Sequence, residues 1–292
     1  VVGCALFAAI SGSSAATVAT VGKMSIPELR KRKYPETILL GSLAGSGTLG
    51  LLIPPSIILI IYGVTVQESI AKLFIAGIIP GIMIALIFMS YVIVWSLINK
   101  QSMPVSLETF SFLEKIKKSK QLMPVILLIL AVIGSIYTGI ATATEAASLG
   151  VVGALILSYL QKSLTKETFK ASLLGATKTS CMIAFILAGA TFLSLAMGFT
   201  GLPRNLAIWI QGMELSPYVL IFVLMVFYII LGMFLDGISA VVLTMAIIEP
   251  MIRQAGFDMI WFGIFLVIVV EMAQITLSLI HISDPTRLEL IS

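Results

Sequence analysis

Three stretches of this chain combine cation-ligating oxygens with an interrupted backbone. The first is Ser11-Gly12-Ser13-Ser14, in a hydroxyl-rich run that ends at Thr17. Hydroxyl oxygens ligate small cations or bond carbonyls, and the same small residues also suit a tight helix–helix contact. The second is Gly41–Ser56, where Gly45, Gly47 and Gly50 loosen the backbone and Pro54-Pro55 removes two N–H donors. Inside a bilayer, carbonyls freed in this way must be satisfied by protein, water or an ion. The stretch is therefore either a kinked packing helix or an ion or substrate site built on a discontinuous helix. The third is Asp236-Gly237-Ile238-Ser239, a carboxylate set among apolar residues. Such a carboxylate is expensive in a membrane and marks a functional site by default, either ligating a cation or capping a half-helix. Glu145 heads an apolar segment, where a first-turn carboxylate meets the positive end of the helix dipole. Glu271 stands near the end of the last apolar segment, with cation relay and helix packing both open to it. Arg204 and Arg253 read as outer-surface groups that could meet an anion, though docking of a partner or solvation suits them better.

Hydrolytic chemistry lacks its parts. A serine nucleophile needs a base, and the one histidine, His281, lies in a polar tail. There is no Gly-x-Gly-Asp for aspartyl chemistry and no His-Glu-x-x-His for zinc. Cys4 and Cys181 both lie in apolar runs, so neither a disulfide nor a metal site is expected. An intramembrane hydrolase is thus a weak alternative. A channel is a second one, although paired hairpins and half-helices suit alternating access better.

The elements that must position these groups belong to a membrane. Of 292 residues, 59% are hydrophobic and 11% charged, and the mean hydropathy is +1.12. That composition indicates a polytopic helical membrane protein in a lipid bilayer. Thr37 to Gln67 is free of charge over 31 residues, more than the roughly 20 needed to cross a bilayer. Charge-free runs of helix length argue against a β-barrel. The net charge of +4 reflects basic cytoplasmic loops and not a nucleic-acid partner. Fourteen of the 18 Lys and Arg fall at 23, 30–33, 100–120 and 162–178, which places those segments on the cytoplasmic side. The lysines of 100–120 predict an amphipathic interfacial helix there. Residues 73–99, 121–144 and 179–203 are predicted crossings, the segment that starts at Ala141-Thr-Ala-Thr-Glu145 returns to Lys162, and 215–249 is a re-entrant hairpin with its tip near Asp236.

An internal repeat follows from spacing. Ser13 precedes Pro54 by 41 residues, and Asp236 precedes position 277 by the same 41. Each half offers a hairpin tip, a loop and an apolar segment with a candidate break. The charge pattern has the first hairpin entering from inside and the second from outside, an inverted-topology repeat. Ser11–Gly22 also aligns with Thr142–Gly153, but that pairing gives no second break at the right distance.

Several motifs now carry a resemblance: Gly47-Thr-Leu-Gly-Leu-Leu-Ile-Pro-Pro-Ser-Ile57, Tyr62-Gly63, Leu73-Phe-Ile-Ala-Gly-Ile-Ile-Pro-Gly81, Thr142-Ala-Thr-Glu-Ala-Ala147 and Phe234-Leu-Asp236. Over residues 1–276 the chain resembles the large permease subunit of TRAP (tripartite ATP-independent periplasmic) transporters. The resemblance implies an all-α fold with inverted-topology repeats, two re-entrant hairpins and broken helices, moving as an elevator. It implies no enzyme and no cofactor beyond sodium as coupling ion. The expected activity is sodium-coupled import of organic acids, such as C4-dicarboxylates or sialic acid, across a bacterial inner membrane. The expected partners are a small TRAP membrane subunit, a periplasmic substrate-binding protein and the carboxylate substrate. A sodium–anion symporter without a binding protein is the alternative. Carried onto this sequence, Ser11, Gly12, Ser13, Ser14, Gly45, Ser46, Gly47 and Thr48 would form one sodium site, next to Pro54 and Pro55. Asp236, Gly237, Ser239 and Thr276 would belong to a second. After Thr276 the family's paired prolines are absent, and 277–292 reads as an atypical or foreign tail. The opening Val1-Val2-Gly3 reads as entering partway through a membrane segment. The expected divisions are 1–100 (first repeat), 101–120 (interfacial arm), 121–276 (second repeat) and 277–292 (tail).

Overall fold

The computed structural model describes residues 1–100, 103–104, 123–201, 205–206, 208–209, 212 and 216–275. Most of the expected interfacial arm, Arg204, Thr276 and the tail lie outside the described residues. Within them the chain is all-α, with no strand among the described residues. The helices are α1 (Val2–Ser11), α2 (Ser14–Lys31), α3 (Glu36–Gly47), α4 (Ile57–Thr65), α5 (Ile70–Ile98), α6 (Met123–Tyr137), α7 (Ala143–Leu160), α8 (Lys166–Thr200), α9 (Pro217–Gly232), α10 (Gly237–Gln254) and α11 (Met259–Ala273). A 3-10 turn, Thr48–Leu51, continues α3. By length and composition α5, α7, α8 and α10 are each able to cross a membrane. The basic approach at 166–178 and the crossing predicted after it form one 35-residue helix.

Contacts gather the chain into two compact units, one joining Val1–Met103 with Ile186 onward and the other comprising Pro104–Phe185. The expected divisions at 100, 120 and 276 follow chain order, whereas packing puts both hairpins into one unit. In the smaller unit α6 and α7 pack antiparallel. A β-carbon on Gly153 would lie 2.3 Å from Leu128 Cδ1, and one on Gly150 would lie 3.3 Å from Val132 Cγ2, so the glycines let the helices close. Leu127, Leu130, Leu149, Val151, Val152 and Ile156 stay exposed. Thr142 starts α7 through a capping box: the Glu145 backbone N–H donates to Thr142 Oγ1, and Glu145 Oε2 accepts from the Thr142 backbone N–H. The carboxylate of Glu145 is thus occupied as a cap.

In the larger unit the two hairpins share one register. The caps of their second helices are Ser13 and Asp236, and both helices have 18 residues. Pro27 and Pro250 lie inside those helices, Arg30 and Arg253 sit in their last turns, and Pro35 and Asp258 precede the next helices. Every pair is 223 positions apart (13 to 236, 27 to 250, 30 to 253, 35 to 258). This is also the interval between position 54 and position 277. The core between the copies is apolar, with Leu52, Ile58, Leu59, Leu73, Met245, Ile252 and Leu266 fully buried.

Tyr62 ties α4 to the head of α11. Its hydroxyl donates to the Met259 carbonyl at 2.7 Å, and Gly263 makes room for its ring, since a β-carbon there would lie 2.5 Å from Cε1. Tyr62→Phe removes one buried hydrogen bond and keeps the ring. It is expected to lower the unfolding free energy in detergent by about 1 kcal/mol, read as an earlier denaturation midpoint with unchanged helix content.

Candidate ion-binding site

The first hairpin turns at residues that cannot continue a helix. Gly12 ends α1 in the left-handed region, at φ 58°. Ser13 is extended and caps α2, its hydroxyl accepting from the Ala16 N–H at 3.5 Å. Thr17, one turn on, is fully buried and donates from Oγ1 to the Ser13 carbonyl at 2.8 Å, with Ser11 Oγ 2.8 Å from the same hydroxyl. Three oxygens, from Ser11, Ser13 and Thr17, are thus held together at the tip.

The first break follows its glycines and prolines. Regular helix ends at Gly47, the 3-10 turn runs to Leu51, and Pro54-Pro55 is a cis peptide. Hydroxyls bond the carbonyls near the interruption. Ser46 Oγ donates to the Ser42 carbonyl, Thr48 Oγ1 to Gly45 at 2.9 Å, and Ser56 Oγ to Leu51. Ser56 is buried and also caps α4 by accepting from the Leu59 N–H.

Tip and break meet. Ser14 Oγ donates to the Thr48 carbonyl at 3.3 Å, and both residues are buried. A β-carbon on Gly50 would lie 3.1 Å from Ser13 C and 3.2 Å from Ser13 O, and one on Gly47 would lie 2.1 Å from Val18 Cγ2. A β-carbon on Gly12 would lie 2.9 Å from the Pro55 carbonyl oxygen and 3.6 Å from Ile57 N. Gly12 and Gly50 provide close approach of backbone to backbone, and Gly47 makes room for the Val18 side chain.

The second tip packs on the helix that follows the break, α4. Asp236 caps α10, its Oδ2 accepting from the Ile238 and Ser239 N–H groups at 3.1 Å each, while Ser239 Oγ donates to Oδ1. A β-carbon on Gly237 would lie 2.8 Å from Val270 Cγ1, 2.9 Å from Gln274 Nε2 and 3.3 Å from Ile58 Cδ1. The first tip touches Ile57 and the second touches Ile58, so α2, α4 and α10 begin close together. Each helix start carries a partial positive charge, and the nearby ends of α1 and α3 carry carbonyls. Such an arrangement offers oxygens to a small cation and N–H dipoles to an anion.

Two further charged groups have surroundings the sequence did not show. Arg253 is exposed but has partners: it pairs with Glu249 at 2.9 Å, lies 3.7 Å from Glu68 Oε1, and donates to the Val66 carbonyl at 3.1 Å. It therefore ties α10 to the end of α4. Glu271 is buried on α11, which packs against the 3-10 turn of the first break. Thr17, Ser56 and Glu271 thus join the candidate residues. Ser56, a hydroxyl before an apolar run, and Thr17, at the end of the hydroxyl-rich run, were not singled out as site residues. Nothing in the sequence pointed the helix of Glu271 to the first break.

Comparison with known proteins gives the family. Residues 1–276 match the family model described as "Tripartite ATP-independent periplasmic transporter, DctM component". The chain is 32% identical over 277 residues to the C4-dicarboxylate TRAP transporter large permease protein DctM of Pseudomonas aeruginosa, covering 94% of this chain and 64% of that relative. It is 33% identical over 269 residues to the isethionate TRAP transporter permease protein DctMQ of Oleidesulfovibrio alaskensis, covering 91% of this chain and 42% of that relative. With the sialic acid TRAP transporter large permease protein SiaM of Vibrio cholerae it shares 31% identity over 266 residues, covering 90% of this chain and 61% of that relative. The chain therefore spans less than two thirds of the length of each of these three relatives. Its apolar helices and these matches make it a multi-pass membrane protein of a transporter family and not of an enzyme family. The chain belongs to the DctM family of TRAP transporter large permeases.

Proposed function

We propose that this chain is the permease portion of a sodium-coupled importer of small organic anions in a bacterial inner membrane. It would work with a small membrane subunit and a periplasmic substrate-binding protein. The observation that carries the reading is the meeting of both hairpin tips on consecutive residues, Ile57 and Ile58, at the end of the first break. Ser11, Gly12, Ser13, Ser14, Gly45, Ser46, Gly47 and Thr48, with Pro54-Pro55 behind them, would supply the oxygens of one sodium site. Asp236, Gly237 and Ser239 would belong to a second site, together with Thr276. The helix starts at Ser13, Ser56 and Asp236 would face the substrate's anionic group. Relatives are named for C4-dicarboxylate, sialic acid and isethionate, which supports a carboxylate or a similar small anion as substrate. Bound sodium would offset the repulsion between that anion and the freed carbonyls. The hairpins and broken helices would then travel together as an elevator against a scaffold of the remaining helices.

The test is uptake into proteoliposomes by the complete permease with its small subunit. Uptake is expected only when binding protein and an inward sodium gradient are both present. A rate indifferent to sodium would sink the coupling. A rate that survives omission of the binding protein would favour a simple sodium–anion symporter.

A further inference from the structure

Glu271 is 3% exposed and is the one buried Asp, Glu, Lys or Arg among the described residues. Its Oε1 has no hydrogen-bond partner among the described residues, and α11 packs against the 3-10 turn of the first break. Nothing of opposite charge faces Glu271 from the elements packed on α11, which are α4, α5, α9, α10 and the 3-10 turn. On α4, Tyr62 bonds Met259, about three turns from Glu271. On α5, Lys72 and Tyr91 are exposed, as is Tyr218 on α9. Tyr228 of α9 is paired with Thr244. On α10, Glu249 and Arg253 pair with each other near Glu68, and Asp236 caps the helix. The 3-10 turn carries no ionisable residue. A buried carboxylate without a partner costs several kcal/mol, so a cation from the aqueous phase must neutralise it.

We propose that Glu271 is a cation-accepting site distinct from the two hairpin tips, its free Oε1 taking up one monovalent cation, a proton or a sodium ion. With the carboxyl occupied, the 3-10 turn of the break stays packed on α11. The vacated, charged carboxyl favours admitting water to the break, which makes cation loading a condition for packing it.

Two measurements on the complete, purified permease test this without transport, so a failed transporter reading leaves them interpretable. In infrared difference spectra taken across a pH titration, a proton at Glu271 gives the carbonyl stretch of a buried protonated carboxyl, lost in Glu271→Gln and shifted in Glu271→Asp. In equilibrium binding of radioactive sodium, a sodium ion at Glu271 shows as a drop in affinity of roughly tenfold for Glu271→Gln. Either result supports the site and names its cation. Sodium binding unchanged in Glu271→Gln, with no carboxyl band that responds to the substitution, overturns it. If Glu271→Gln does not assemble, Glu271→Asp carries both readouts.

Discussion

Gly12→Ala in the complete permease is expected to weaken sodium activation of uptake by roughly a hundredfold or more. Two independent effects add at this position. The backbone sits at φ 58°, where a β-carbon costs roughly 1–2 kcal/mol. That β-carbon would also lie 2.9 Å from the Pro55 carbonyl oxygen. The neighbour is backbone at a cis Pro54-Pro55 pair and cannot swing aside as a side chain end would, so tip and break must separate. Together these effects amount to about 3 kcal/mol or more. Gly41→Ala is the control: it lies in α3 with nothing within 4 Å of its β-carbon, and alanine favours a helix interior by about 1 kcal/mol over glycine. Sodium titrations of uptake for the two variants should diverge. Equal half-saturation in both would show that the tip does not depend on its contact with Pro55.

The contrast between these glycines also shows what the sequence can carry. Breaks and tips were legible because their causes are local. Pro54 and Pro55 lack donors wherever they stand, and Ser11-Gly12-Ser13-Ser14 is visible as a run of small hydroxyl residues. The repeat was legible for a related reason: 13 to 54 and 236 to 277 are equal spacings, and Pro27 with Pro250 shows that the two copies keep register through their hairpins. Partners distant along the chain were not legible. Arg253 finds the Val66 carbonyl 187 positions away, and the helix that carries Glu271 finds the 3-10 turn of the first break. Such pairings are set by how α4, α10 and α11 pack, and no periodicity encodes which side chain a packed helix will meet. Thr17 was passed over for a different reason. A threonine bonding a carbonyl four residues back is ordinary helix behaviour, and it becomes part of the candidate site only because that carbonyl belongs to Ser13.

Asp236 poses the sharpest question, because the sequence offered it two roles and its geometry satisfies one in full. Both oxygens are engaged, Oδ2 by the Ile238 and Ser239 N–H groups and Oδ1 by Ser239 Oγ. Asparagine caps a helix about as well as aspartate, whereas alanine loses about 1 kcal/mol. Asp236→Asn therefore keeps the cap and removes the charge, and Asp236→Ala removes both. If the carboxylate also serves the second sodium site, Asp236→Asn should unfold within about 1 kcal/mol of the parent, a margin that covers the lost attraction to the α10 dipole. Its sodium half-saturation should nevertheless rise by roughly tenfold or more, the scale of losing one charge-assisted contact. The separation between the two readouts decides the role. A cap alone predicts that the asparagine variant follows the parent through the whole sodium titration while the alanine variant is impaired in stability and transport together. A sodium-site carboxylate predicts that asparagine and alanine fail alike in sodium response and differ only in stability. Gln274, which lies close to Gly237, gives an independent check. If the second site forms where this tip meets the end of α11, Gln274→Ala should shift the same sodium dependence in the same direction, by less than the loss of the charge does.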